Sequence, residues 1–156
     1  MNKLKIEGKL ELVEPNEEVC ESYLEKSDNC IASAKLLLNN KLYENSVSMS
    51  YYAMYNSLIA LLFRTGIKCE NHSGSILLLK LLFDKQELFK LISNAKEERI
   101  DKQYYVTTEK NELTKESTQE LLLNAENFVV KMKLIIKNLN NGYIEEIRKN
   151  FETLIG

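Results

Sequence analysis

Glycine and proline are scarce in this chain, five and one among 156 residues. Together they make up about 4% of the sequence against roughly 12% in average usage. A β-sandwich or barrel needs many turns built on those two residues, so an all-β fold is excluded and long helices with few connections are the default. Cys20, Cys30 and Cys69 are odd in number and lack C-x-x-C spacing. Neither a disulfide framework nor a zinc site is expected from them. No apolar block resembling a secretory signal stands near Met1, and a reduced, cytoplasmic protein is the expectation. The longest mostly apolar run, residues 76–83, is broken by Lys80 and falls far short of the ~20 residues of a membrane span. A charge excess is lacking too: 21 Lys+Arg face 23 Asp+Glu, a net −2. That argues against a bulk electrostatic nucleic-acid binder while leaving room for a local basic site. A Gly-rich phosphate loop, a metal-ligand cluster and a supported Ser/His/Asp arrangement are all missing, so no cofactor and no metal are expected. The acidic pairs Glu17-Glu18, Glu97-Glu98 and Glu145-Glu146 point in different directions on a helix and read as solvated faces.

The residues that are present describe one globular domain, with 44% hydrophobic and 28% charged residues. A chain of this length buries about 70% of its unfolded surface and needs no staple. Residues 4–13 alternate apolar and polar around Gly8, with Leu4, Ile6, Leu10 and Leu12 on one parity, which fits a short hairpin or an extended arm over residues 1–14. Pro15, Glu17 and Glu18 suit a helix start. Cys20, Leu24, Ser27, Ile31, Ala34 and Leu38 then step by four and three along one stripe, and Asn39-Asn40 is a plausible stop. A second helix over 43–65 carries Val47, Ser50, Met54, Ser57 and Leu61, widened by Tyr51, Tyr55 and Leu58 and closed by Gly66. Asn71 or Ser73 can cap a third helix to about residue 83, and a fourth starts near Lys85. Residues 101–113 read as a loop with a short extended piece at 104–106. Ser117 and Glu120 have capping-box spacing ahead of Leu121, Ala125, Phe128, Met132, Ile135 and Leu139. Asn141-Gly142 is expected to end that helix, and 143–155 forms an amphipathic tail helix. Such stripes require helix-on-helix burial, so residues 15–156 predict an all-α, up-down bundle of four to five helices.

Several blocks, taken in order, resemble the HEPN family (higher eukaryotes and prokaryotes nucleotide-binding domain). They are Tyr23-Leu24-Glu25-Lys26-Ser27, Ala34-Lys35-Leu36-Leu37, Leu42-Tyr43, and Ser50-Tyr51-Tyr52-Ala53-Met54-Tyr55-Asn56-Ser57. His72-Ser73-Gly74 is similar to the family's H-x-G, Arg99 with Tyr104 to an R-x4-Y pattern, and Ala125-Glu126-x-Phe128-Val129 to its A-[ED]-x-F-[VI] helix. The resemblance implies a helical bundle, often a homodimer. It also implies a small nucleotidyltransferase as partner in a toxin–antitoxin-type pair, and nucleotide or RNA as ligand. Active members are metal-independent ribonucleases with an R-x4–6-H motif. In some pairs the partner adenylylates a Tyr near that motif; here Tyr104 or Tyr105 would be the acceptor, since Val106 occupies the usual position.

Such cleavage needs a group to take the 2′-hydroxyl proton, a role that suits histidine, and a cation to hold the phosphate, a role that suits arginine. The chain has one histidine, His72, and seven residues separate it from Arg64, with Gly66 between them. Arg99 has the family spacing, but Tyr104 stands where histidine would, and a phenol of pKa about 10 is a poor base at neutral pH. The candidate catalytic residues are therefore Arg99 and Tyr104 in a degenerate motif, with His72, Tyr105 and Arg64 as binding residues. The structural alternatives are that His72 bonds a backbone group or caps a helix, that Arg99 pairs with Asp101 or a nearby Glu, and that Tyr51, Tyr52 and Tyr55 are core. A different class of function is also open, a non-catalytic dimeric adaptor that supplies substrate-binding surface to a nucleotidyltransferase.

Overall fold

In the computed structural model, the backbone is described for residues 1–104 and 113–156, and side chains for residues 1–99 and 113–156. The element order is α1 (Asn2–Ile6), β1 (Leu10–Leu12), α2 (Glu17–Asn39), α3 (Tyr43–Arg64), β2 (Ile67–Cys69), α4 (His72–Leu81), α5 (Gln86–Tyr104), α6 (Lys115–Lys137) and α7 (Asn141–Ile155). The architecture is an all-α bundle with one minimal two-stranded sheet. Helix α3 is the central rod, packed against α2, α4, α5 and α6. Its apolar residues are buried on several sides, from Val47 and Tyr51 through Leu58 to Leu62. That is why its hydrophobic stripe is wide whereas that of α2 is narrow. Small residues let α2 and α3 approach closely. Ser27 Oγ donates to the Ala53 carbonyl at 2.7 Å and Ser46 Oγ to the Ala34 carbonyl at 2.8 Å, so both buried hydroxyls are satisfied across the seam. Among the described residues, no helix is long and apolar enough to cross a membrane.

The helix starts follow side-chain capping. Asn16 Oδ1 accepts from the Val19 amide at 2.9 Å, placing Pro15 just outside α2, and Asn71 Oδ1 accepts from the Gly74 amide at 2.7 Å to open α4. Gly66 turns the chain out of α3 at φ +72. There a Cβ would collide with the Arg148 guanidinium and the Val13 carbonyl. Arg148 Nη1 donates to the carbonyls of Val13, Thr65 and Gly66 at 2.8, 3.2 and 3.0 Å. One side chain of α7 thereby ties the N-terminal arm to the end of α3.

Four boundaries differ from the sequence reading. The segment 4–13 is not a hairpin: its first half is α1, Gly8 turns at φ +67, and β1 pairs antiparallel with β2, Leu10 opposite Cys69 and Leu12 opposite Ile67. Parity over a few residues suits a short helix as well as a strand, and the strand's partner is remote in sequence. Helix α5 runs on to Tyr104, so 101–104 are helical and not loop; the rest of that expected loop, 105–112, lies outside the described residues. Helix α6 opens one turn earlier than Ser117. Thr114 is its cap, with Ser117 N donating to Thr114 Oγ1 at 3.0 Å and Thr114 N to Ser117 Oγ at 3.1 Å. Serine at the third position completes a capping box as glutamate does, which is why Glu120 misled. Asn141-Gly142 begins α7 and does not end α6, because Asn140 Oδ1 caps Tyr143 N at 2.9 Å.

Candidate anion-binding site

The helical period of α3 places Tyr51 and Tyr55 one turn apart, with Tyr52 beside them. Tyr51 is fully buried, while Tyr52 and Tyr55 are half-buried. Tyr51 Oη lies 2.8 Å from His72 Nδ1 at the first position of α4. The Tyr55 ring stacks on the imidazole, centroids 3.8 Å apart and planes 11° off parallel. From α5, Arg99 reaches the same cluster: Nη1 donates to Tyr52 Oη at 2.6 Å, and Cζ sits 5.0 Å from the Tyr51 ring centroid and 5.2 Å from that of Tyr52. Two cation–π contacts of about 0.5–2 kcal/mol each hold the guanidinium in a fixed pose.

Positive charge gathers here. Lys96, one helical turn before Arg99, donates from Nζ to Ser73 Oγ at 2.5 Å. Among the described residues neither Arg99 nor Lys96 forms an ion pair. The positive end of the α4 dipole, at His72, adds to the same field. Arg99 Nε is buried and, among the described residues, has no hydrogen-bond partner. A buried donor left in that state costs about 1–3 kcal/mol, and an oxyanion brought to the guanidinium would satisfy it.

Protonation follows from the same neighbours. Burial, then the charges of Arg99 and Lys96, hold the His72 pKa below its ordinary 6.5, so the imidazole is neutral at pH 7. Burial pushes the Tyr51 phenol well above its usual range and raises that of Tyr55. Tyr51 therefore keeps its proton and shares a hydrogen bond with His72 Nδ1, in which donor and acceptor follow the imidazole tautomer. With Nδ1 engaged by Tyr51, Nε2 is the imidazole nitrogen left for a further partner.

Residues 20–149 match the family model of the HEPN domain. The chain belongs to the HEPN domain family. Two proteins of Methanocaldococcus jannaschii, each named only as a candidate toxin, are 29% and 32% identical to it. Each alignment covers 78% of this chain, and 92% and 86% of those proteins. A Thermotoga maritima protein named UPF0332 protein is 28% identical, over 81% of this chain and 97% of its own length.

Within this HEPN domain the residues singled out from the sequence divide into three groups. Arg99 and His72 are brought together, although 27 positions apart in the chain, through Tyr51 and Tyr52. Asn71, not His72, caps α4, and among the described residues His72 bonds Tyr51 and no backbone group, while Arg99 bonds Tyr52. The side chain of Asp101, the alternative partner for Arg99, lies outside the described residues. Tyr104 is the last residue of α5, and Tyr105 lies outside the described residues. Arg64 is separate from the cluster: it ends α3 nine residues beyond Tyr55, about 13 Å along the helix axis, and its charge acts on Cys20. Tyr51 is core as expected, while Tyr52 and Tyr55 are half-buried and pack against that core. The contact of Lys96 with Ser73 gave no sequence signal, because nothing local links the two residues.

Proposed function

We propose that this HEPN protein is the toxin-like half of a toxin–antitoxin-type pair, that its partner is a small nucleotidyltransferase, and that it binds nucleotide or RNA phosphate at Arg99 as a cytoplasmic homodimer. The candidate-toxin names of its relatives support the first part. The observation that carries the binding role is the Arg99 guanidinium, held on two tyrosine faces with Nε unpartnered among the described residues. Lys96 and the start of α4 supply further donors to an oxyanion.

Labelled single-stranded RNA and ATP titrated against wild type and Arg99→Ala test this reading. The expected result is a loss of affinity of at least tenfold in the variant; equal binding overturns the assignment of Arg99. Co-expression with a small nucleotidyltransferase encoded beside this chain tests the pairing: a co-purifying complex is the expected outcome, and the absence of such a neighbour or of a complex overturns it.

One observation favours a binding role without cleavage. Tyr104 stands where the family motif carries histidine, and the chain's one histidine, His72, has its Nδ1 engaged by Tyr51. Incubation with total RNA in chelator separates the two roles. Cleavage abolished by Arg99→Ala identifies a metal-independent ribonuclease, and a stable complex with intact RNA identifies the adaptor.

A further inference from the structure

Tyr55, whose ring stacks on the imidazole, also lines a concavity of about 250 Å³. Its walls are aromatic: Tyr23 of α2 and Phe63 of α3 stack at 5.7 Å with their planes 11° apart, and Tyr55 closes the end toward His72. Ile59 and Ile67 form an apolar floor, both buried. The rim is charged. Lys68 and Glu70 border it, and Lys26 Nζ stands 5.0 Å from the centroid of the Tyr23 ring with no ion pair among the described residues. Ligand pockets for drug-sized molecules run from about 300 to 1,000 Å³; this one is smaller and suits a single flat heterocycle.

The slot and the guanidinium share one aromatic wall. The Tyr55 ring is 6.1 Å from that of Tyr51, which is itself 5.0 Å from Arg99 Cζ. Two side-chain contacts thus separate a stacking surface from an anion-binding group, a span that adjoining nucleotides cover. We propose that this slot takes the unstacked nucleobase next to the phosphate held at Arg99, so that the ligand is a single-stranded nucleic acid and not a free phosphate or a duplex. The inference rests on the phosphate reading above for its direction. It adds a distinct group of residues, Tyr23, Phe63 and Lys26. Aromatic faces accept any base, so the slot confers strand selectivity with little sequence preference.

The test uses two probes on the full chain. The first is 2-aminopurine riboside, which carries no phosphate; stacking in the slot quenches its fluorescence. Wild type and Arg99→Ala are expected to quench it, and Tyr23→Leu and Phe63→Leu to lose the effect, with Phe63→Tyr restoring it. The second is a labelled six-nucleotide oligoribonucleotide. Each leucine variant is expected to weaken its binding by about 5- to 100-fold with the salt dependence unchanged, whereas Arg99→Ala lowers the salt slope by about one. Helical circular dichroism confirms that each variant is folded, and Phe63→Tyr, which keeps the ring, guards against a packing effect. No quenching by wild type, or quenching indifferent to Tyr23 and Phe63, overturns the slot while leaving Arg99 to be judged by the oligonucleotide. Quenching that follows the slot residues while Arg99→Ala binds normally keeps the slot and removes the phosphate reading.

Discussion

The residue on which most depends is Arg99, because Tyr51 and Tyr52 fix its pose and no ion pair among the described residues neutralises its charge. Replacing it by lysine keeps one positive charge and loses the planar fork and the stacking on Tyr51 and Tyr52. Arg99→Lys is therefore expected to bind RNA more weakly than wild type but better than Arg99→Ala, a ranking read by fluorescence anisotropy. His72 makes a pH prediction with a definite sign. Its pKa is depressed in the folded state, so the unfolded chain binds the proton more readily, and folding is favoured fully only above the unfolded value near 6.5. As pH falls from 7 toward 5.5 the melting temperature of wild type should drop, and that of His72→Asn should drop less. An NMR titration of the imidazole should show a midpoint below 6.5; a midpoint at or above it contradicts the burial of the ring and the proximity of Arg99 and Lys96.

At the scale of elements, the strongest devices sit where chain segments meet. Gly66 adopts φ +72 under the Arg148 guanidinium. Gly66→Ala should cost about 1–2 kcal/mol from the backbone alone, with a further penalty as Arg148 is displaced from three carbonyls. Arg148→Met keeps the stem and removes those bonds, and should destabilise by about 1.5–3 kcal/mol, since hydrogen bonds to a charged group are the stronger kind. Urea unfolding measures both. Thr114→Ala removes one half of the capping box of α6 and should cost about 1 kcal/mol. The same change at Ser117 should cost a similar amount, and the double variant less than the sum, because the two side chains cap each other.

For the whole molecule, stability depends on one apolar core with α3 at its centre. Phe128 of α6 is fully buried against it. Phe128→Ala should cost about 3–5 kcal/mol, equivalent to a melting temperature lower by about 6–20 °C in a domain of this size. Scanning calorimetry should record a single transition for the variant as for wild type. Exposed ion pairs such as Lys133–Asp28 and Lys131–Glu87 lie outside that core, and each contributes about 0–1 kcal/mol. Their loss should pass almost unnoticed.

Helix identity was legible in the sequence because it follows from local periodicity. The stripes of α2, α3 and α6 each predict a buried face, and Cys20, Leu24, Ala34, Leu121, Ala125 and Phe128 are indeed inside. The ends were less legible, because Thr114, Asn140 and Gly8 compete with equally plausible caps and turns a few positions away. The resemblance of the tyrosine block and of Arg99 marked two halves of the candidate site. What joins them was not readable: Arg99 and Tyr52 are 47 positions apart, and Tyr51 and His72 are 21 apart. Contacts of that kind depend on how α3, α4 and α5 cross, and a 3.6-residue period carries no information about crossing. The sequence by itself determined an all-α bundle, its family and its buried faces, since each is set by neighbours within a turn or two. Only the tertiary structure decided that the guanidinium rests on Tyr51 and Tyr52, that the imidazole lies between phenols, and that Arg64 stands apart, because rigid rods of fixed rise bring distant side chains together or hold near ones away.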